Sequence, residues 1–170
     1  MKNNFFVYFI KSYLIIYGLN GRIIINLKNK VFNSILFLKN SDLFFIEFDK
    51  KLIHQSFSSL FKKSFLGVNG CFSKKINLIG IGFRCWVVYE NSQKFLVVKT
   101  SLSKDCIFYV PKTIDIFCLS STTIFVKSIR KFDIDLFVSL IKKIKKPNFY
   151  KQKGIFLENE IIKVKKGKKM

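Results

Sequence analysis

Between Lys145 and Ile155 the chain reads KKPNFYKQKGI. Asn148, Tyr150, Lys151 and Lys153 present an amide, an aromatic ring and two ammonium groups close together. Lysines neutralise phosphate oxygens and an aromatic ring stacks on an unpaired base, which is the chemistry of an RNA surface. Pro147 cannot continue a helix, and it biases Lys146 toward extended geometry. Gly154 permits a turn or the close approach of another backbone. Taken alone, the stretch also reads as a solvated basic loop. The residues downstream favour a polyanion. Lys163, Lys165, Lys166, Lys168 and Lys169 extend the run, and from Lys142 to Met170 eleven lysines stand against two glutamates. Such a tail is expected not to bury itself. Its removal from Lys151 onward is expected to leave the apolar cores folded. Lys127, Arg130 and Lys131, at the mouth of the last helix, form a second cationic group beside a helix N-terminus.

Other residues offer less chemistry. Cys71, Cys85, Cys106 and Cys118 are widely spaced and His54 is the only histidine, so no metal-ligand pattern appears and no metal is expected. Free thiols are expected rather than disulfides. Gly80-Ile81-Gly82 lacks the third glycine of a dinucleotide fingerprint and runs into a strand, so its expected role is close backbone packing. Asp133 and Asp135 read as helix-start residues rather than a catalytic pair. No nucleophile–base set or phosphate loop is present. The chain therefore reads as a non-enzyme with no cofactor and no small-molecule substrate.

A chain of 170 residues with 49% hydrophobic residues can bury a core, and its formal charge of +21 points to RNA, DNA or an anionic membrane. The only arginines are Arg22, Arg84 and Arg130. Lysine is a point charge that serves phosphate better than bidentate base reading. Phe, Ile, Lys and Asn are abundant and alanine is absent, which suggests an A/T-biased genome such as an organelle's. Phe5 to Leu19 is apolar, but it is too short to span a bilayer and Lys11 and Ser12 interrupt it. It reads as an N-terminal extension, residues 1–12, leading into a strand near Tyr13 to Tyr17, with no membrane contact expected of the extension. A basic peripheral protein on an anionic membrane is the alternative function.

Secondary structure must position these residues. Asn20-Gly21 between two β-rich runs predicts a hairpin whose second strand is Arg22 to Leu27. Turns at Lys28 to Lys30 and Asn40 to Asp42 separate strands Val31 to Leu38 and Leu43 to Phe48. A helix is expected from about Lys50 to Leu66, with Ile53, Phe57, Leu60, Phe61 and Phe65 on its apolar face and Gly67 and Gly70 ending it. The second half repeats the order. Strands are expected at Ile76 to Ile81, Phe83 to Tyr89, Phe95 to Thr100, Cys106 to Val110, Ile114 to Leu119 and Thr122 to Lys127. A helix from Asp133, or a residue or two earlier, to Ile144 buries Ile134, Phe137, Val138, Ile141 and Ile144. The class is α+β: two similar domains in tandem, each an antiparallel sheet with one helix on a face. The boundaries are expected at 13–75 for the first domain, 76–146 for the second and 147–170 for the basic tail.

Two stretches carry a resemblance. Gly67 to Arg84, GVNGCFSKKINLIGIGFR, resembles the centre of the bacterial-type large-subunit ribosomal protein L-six family, matching at Gly67-Val68, Cys71-Phe72, Lys74-Lys75-Ile76 and Ile79 to Arg84. Lys146 to Ile155 resembles the family's tail motif, keeping Pro147, Tyr150, Lys151, Lys153, Gly154 and Ile155. Cys71 stands where the family usually has glycine, Phe149 replaces a proline and Gln152 replaces a glycine. The resemblance implies a structural protein of the large ribosomal subunit. It implies binding to large-subunit ribosomal RNA, mainly through the C-terminal domain near the elongation-factor binding region, with neighbouring ribosomal proteins as further partners. Pro147, Tyr150, Lys151, Lys153 and Gly154 are the site residues it carries across. With the A/T bias it implies a ribosome of the mitochondrial matrix, the alternatives being another organelle or an A/T-rich bacterium. Synthesis inside the organelle is expected, since no Arg- and Ser-rich import sequence is visible.

Overall fold

The computed structural model describes residues 6–10, 13–26, 34–37, 44–47, 51–161, 163–165 and 167. The chain divides into two compact units, Met1–Cys71 and Phe72–Met170. In the first, strands β1 (Phe6–Ile10), β2 (Tyr13–Gly18) and β3 (Gly21–Asn26) form an antiparallel sheet in that order. A separate two-stranded pair joins β4 (Ser34–Phe37) and β5 (Phe44–Glu47). Helix α1 (Lys51–Gly70) packs on β2 and β3. Leu14 and Ile16 of β2 and Ile23 and Ile25 of β3 are buried, the period of two that a sheet with one covered face requires. The hairpin turn is Leu19-Asn20, with Gly18 opposite Gly21. The Asn20 backbone N–H donates to the Val68 carbonyl at 3.1 Å and its Nδ2 to the Asn69 carbonyl at 2.7 Å. The hairpin tip thus satisfies carbonyls that the helix end leaves open.

Three expectations for this unit are corrected. Residues 6–10 are not an extension outside the sheet. They pair with β2 from Phe6 opposite Tyr17 to Ile10 opposite Tyr13, because two adjacent β-rich runs satisfy each other's backbone groups. Gly67 does not end the helix, which runs to Gly70, and fully buried Val68 anchors that last turn. Phe57 is buried as expected, but Leu60 is exposed, and Ser64 and Val68 are buried beside Phe57. The expected turns at Lys28 to Lys30 and Asn40 to Asp42 and the side chains of Ile53 and His54 lie outside the described residues.

The second unit is built around β6 (Phe72–Ile79). Strands β7 (Arg84–Glu90), β8 (Gln93–Lys99) and β9 (Cys106–Val110) form one antiparallel sheet. Strands β10 (Ile114–Ser120) and β11 (Thr123–Ser128) join β6 and β12 (Gly154–Leu157) in a second sheet, ordered β10-β11-β6-β12. Helix α2 (Lys131–Ile144) packs on β6, β11 and β12 and buries Ile134, Phe137, Val138 and Ile141, with Ile144 half-buried. Asp133 falls in its first turn, and Asp135 forms an ion pair with Lys74. Gly80-Ile81-Gly82 forms the turn between β6 and β7, so the glycine pair opens a strand. All four cysteines are free, and the fold brings Cys85 beside Cys118. That contact and burial push the Cys85 thiol up, and its Sγ lies 3.2 Å from the Ser121 carbonyl. Among the described residues no helix is long and apolar enough to cross a membrane.

The division between units falls at Phe72 rather than Ile76, because Ser73, Lys74 and Lys75 are ladder residues paired with β11. The larger correction concerns the region after Pro147. Gly154 to Leu157 is the edge strand of the second sheet, paired with β6 from Gly154 opposite Ile79 to Leu157 opposite Ile76. Ile155 is fully buried and Phe156 nearly so.

Two departures from the resembled family sit at special backbone positions. Cys71 has φ +55° and Gln152 φ +52°, the left-handed region that glycine enters without a Cβ penalty. Both stand where the family has glycine. Cys71→Gly and Gln152→Gly are each expected to raise stability, by about 1 kcal/mol, less the entropy glycine adds to the unfolded chain. Urea denaturation of the two variants checks this; a loss of stability in both would contradict it.

Candidate nucleic-acid interface

Pro147 stops α2 locally, and Lys145 at the helix C-cap is already extended. The chain then folds back as a closed loop. The Asn148 N–H donates to the Lys153 carbonyl at 2.9 Å, the Gln152 N–H to the Asn148 carbonyl at 3.1 Å, and the Ile155 N–H to the Lys145 carbonyl at 3.2 Å. Asn148 Oδ1 accepts from the N–H groups of Tyr150 at 2.7 Å and Lys151 at 3.1 Å. The Asn148 side chain therefore builds the loop. Gly154 is buried with φ +140°, and a Cβ there would lie 2.7 Å from Pro147 Cα. Its role is to let two backbones meet. Tyr150, Lys151 and Lys153, held on this loop, are exposed.

A cleft of about 610 Å³ lies between the last turns of α2 and the segment after β12. Pro147, Phe149 and Ile161 supply its apolar lining, and Lys142, Lys143, Lys146 and Lys163 its cationic lining. Glu160 also lines it, but its carboxylate accepts from Lys142 Nζ at 2.6 Å and from the Leu157 N–H at 3.1 Å. The Lys142 ammonium, aided by that N–H, holds the Glu160 carboxyl below the ordinary carboxylate range despite some desolvation. The Lys165 N–H donates to the Phe149 carbonyl at 3.1 Å, and Lys165 Nζ stands 5.9 Å from the Phe149 ring centroid. These contacts tie the chain after β12 back to the loop.

The structure brings together Lys146, Pro147, Asn148, Tyr150, Lys151, Lys153, Lys163 and Lys165 at one end of α2. It does not bring Lys127, Arg130 and Lys131 to them. Those three lie at the other end of a 14-residue helix, about 20 Å away by its rise. Half-buried Lys127 pairs in the ladder with Ser73, at the end of β6 remote from β12, while Arg130 and Lys131 are exposed. Lys166, Lys168 and Lys169 lie outside the described residues. Sequence reasoning missed Lys142, Lys143, Phe149 and Ile161 as members of the site. The two lysines were visible on the polar side of α2, but which of its ends meets the returning tail is a matter of tertiary closure.

The fold and the site define a basic α+β protein of two units whose second unit gathers lysines and aromatic rings at one end. No family profile matches the chain. Among curated proteins it is 31% identical over 159 residues to large ribosomal subunit protein uL6 of Borreliella afzelii, covering 91% of this chain and 84% of that one. It is 31% identical over 114 residues to uL6m of Reclinomonas americana, covering 67% of this chain and 60% of the relative. With uL6 of Levilactobacillus brevis it shares 26% identity over 82% of this chain and 79% of the relative. The chain belongs to the uL6 family of large ribosomal subunit proteins. It is a ribosomal protein and not an enzyme.

Proposed function

We propose that the chain binds large-subunit ribosomal RNA through the end of its second unit, near the elongation-factor binding region and among neighbouring ribosomal proteins. The observation that carries this is the loop after Pro147. A closed hydrogen-bonded backbone holds Lys151 and Lys153 exposed beside an exposed Tyr150. Lys163 and Lys165 are also exposed in the following segment. Four ammonium groups within one patch suit phosphate, and a rim-mounted phenol suits stacking. Arg130 and Lys131 make a second, separate contact rather than part of the first. The mitochondrial relative and the A/T-biased composition favour a mitochondrial ribosome over a bacterial one.

The test is binding of the full chain to large-subunit ribosomal RNA fragments at several salt concentrations. Replacing Lys151, Lys153, Lys163 and Lys165 by Gln is expected to weaken binding and to lower the salt slope by about 0.7–0.9 for each lysine–phosphate pair removed. Tyr150→Ala is expected to cost about 1–3 kcal/mol of binding. Unchanged affinity and slope in the lysine variant, with circular dichroism showing an intact fold, would move the RNA site to the sheets or the strand loops.

A further inference from the structure

We infer that the cleft around Phe149 is a binding site for one unpaired nucleotide, extruded from an RNA helix. This rests on the RNA-binding reading above and names what that surface recognises. The cleft's volume falls in the range of small-molecule sites. Phe149 is 52% exposed and Ile161 95% exposed, so apolar surface stands open beside four lysines. A duplex backbone has no use for such a surface, because the faces of paired bases are covered by their neighbours. An extruded base offers a free π-face for Phe149, and its flanking phosphates fall to the surrounding ammonium groups. Among the described residues Glu160 is the one carboxylate lining the cleft, and it is engaged by Lys142 and the Leu157 N–H rather than free to receive a cationic partner. Its work is to hold the segment carrying Ile161 and Lys163 against α2. The backbone at Phe149 is anchored by the Lys165 N–H, which donates to its carbonyl, and the Lys165 ammonium stands over the ring. A proline, which the resembled family has at this position, offers no comparable aromatic face.

The experiment uses the full chain and two RNA hairpins of equal length and charge. One is fully paired, and the other carries a single bulged 2-aminopurine. The bulged hairpin is expected to bind at least about fivefold more tightly, with its fluorescence quenched on binding. Phe149→Ala should remove that preference and the quenching, so that the two hairpins bind with equal affinity. Phe149→Trp should restore both. Equal affinity of the wild-type chain for the two hairpins overturns the inference and leaves RNA binding intact. Failure of both hairpins to bind at low salt defeats the RNA reading itself. Saturation of the cleft by micromolar free AMP would make it a small-molecule site. Displacement of the bulged hairpin by a glutamate-rich peptide carrying phenylalanine, but not by paired RNA, would assign it to a protein segment. Either result overturns the inference.

Discussion

Removal of residues 151–170 is expected to unfold the second unit, whereas removal of residues 158–170 leaves it folded. The difference is β12. Its loss strips the ladder from one edge of β6 and takes away fully buried Ile155, Phe156 and the Leu157 side chain packed on the core. Truncating a single buried Ile or Phe to Ala costs about 2–5 kcal/mol, so losing both approaches the whole stability of a typical domain, about 5–15 kcal/mol. It also leaves the Lys145 carbonyl without the Ile155 N–H. The shorter deletion removes the ion pairs of Lys75 with Glu158 and of Lys142 with Glu160, both on partly exposed side chains. Such pairs are worth about 0–1 kcal/mol each. Chemical denaturation followed by circular dichroism separates the outcomes. A cooperative transition of normal midpoint after the longer deletion would show that β12 contributes nothing to the core.

Gly154→Ala is expected to cost about 3 kcal/mol or more, since a φ of +140° is open essentially to glycine alone and the new methyl meets backbone atoms. Its Cβ would stand 2.7 Å from Pro147 Cα, 2.9 Å from the Lys146 carbonyl oxygen and 3.0 Å from the Pro147 nitrogen. No side-chain rotation relieves a clash with main chain. Either β12 lifts from β6 or the loop from Pro147 to Lys153 shifts, so stability and RNA affinity should fall together. Gly167→Ala is the control, because nothing lies within 4 Å of its added Cβ. Equal denaturation midpoints for the two variants would mean that the close approach at Gly154 is not tight in solution.

Features that depend on near neighbours along the chain were legible in the order of residues. The spacing of Ile134, Phe137, Val138 and Ile141 is the spacing of one helix face, and those four side chains are buried. Asn20-Gly21 announced its hairpin, and the strands from Arg84 to Ser128 stand within a residue or two of their expected bounds. The lysines that crowd the end of α2 were legible as a cationic run. Features that depend on distant pairing were not legible in this way. Gly154 to Leu157 is a four-residue run in a lysine-rich neighbourhood, and local composition hides its burial because its partner, β6, precedes it by about 75 residues. The helix continues through Gly67, whose helical cost of about 1 kcal/mol is outweighed by burying Val68. The separation of Lys127, Arg130 and Lys131 from the loop after Pro147 is also tertiary: a helix that joins two lysine clusters in sequence holds them apart in space. The cleft exists only where the segment after β12 returns to α2 through Lys142–Glu160 and Lys165–Phe149, pairs 18 and 16 residues apart along the chain. Periodicity reports which face of an element is apolar, and only chain closure decides what that face meets.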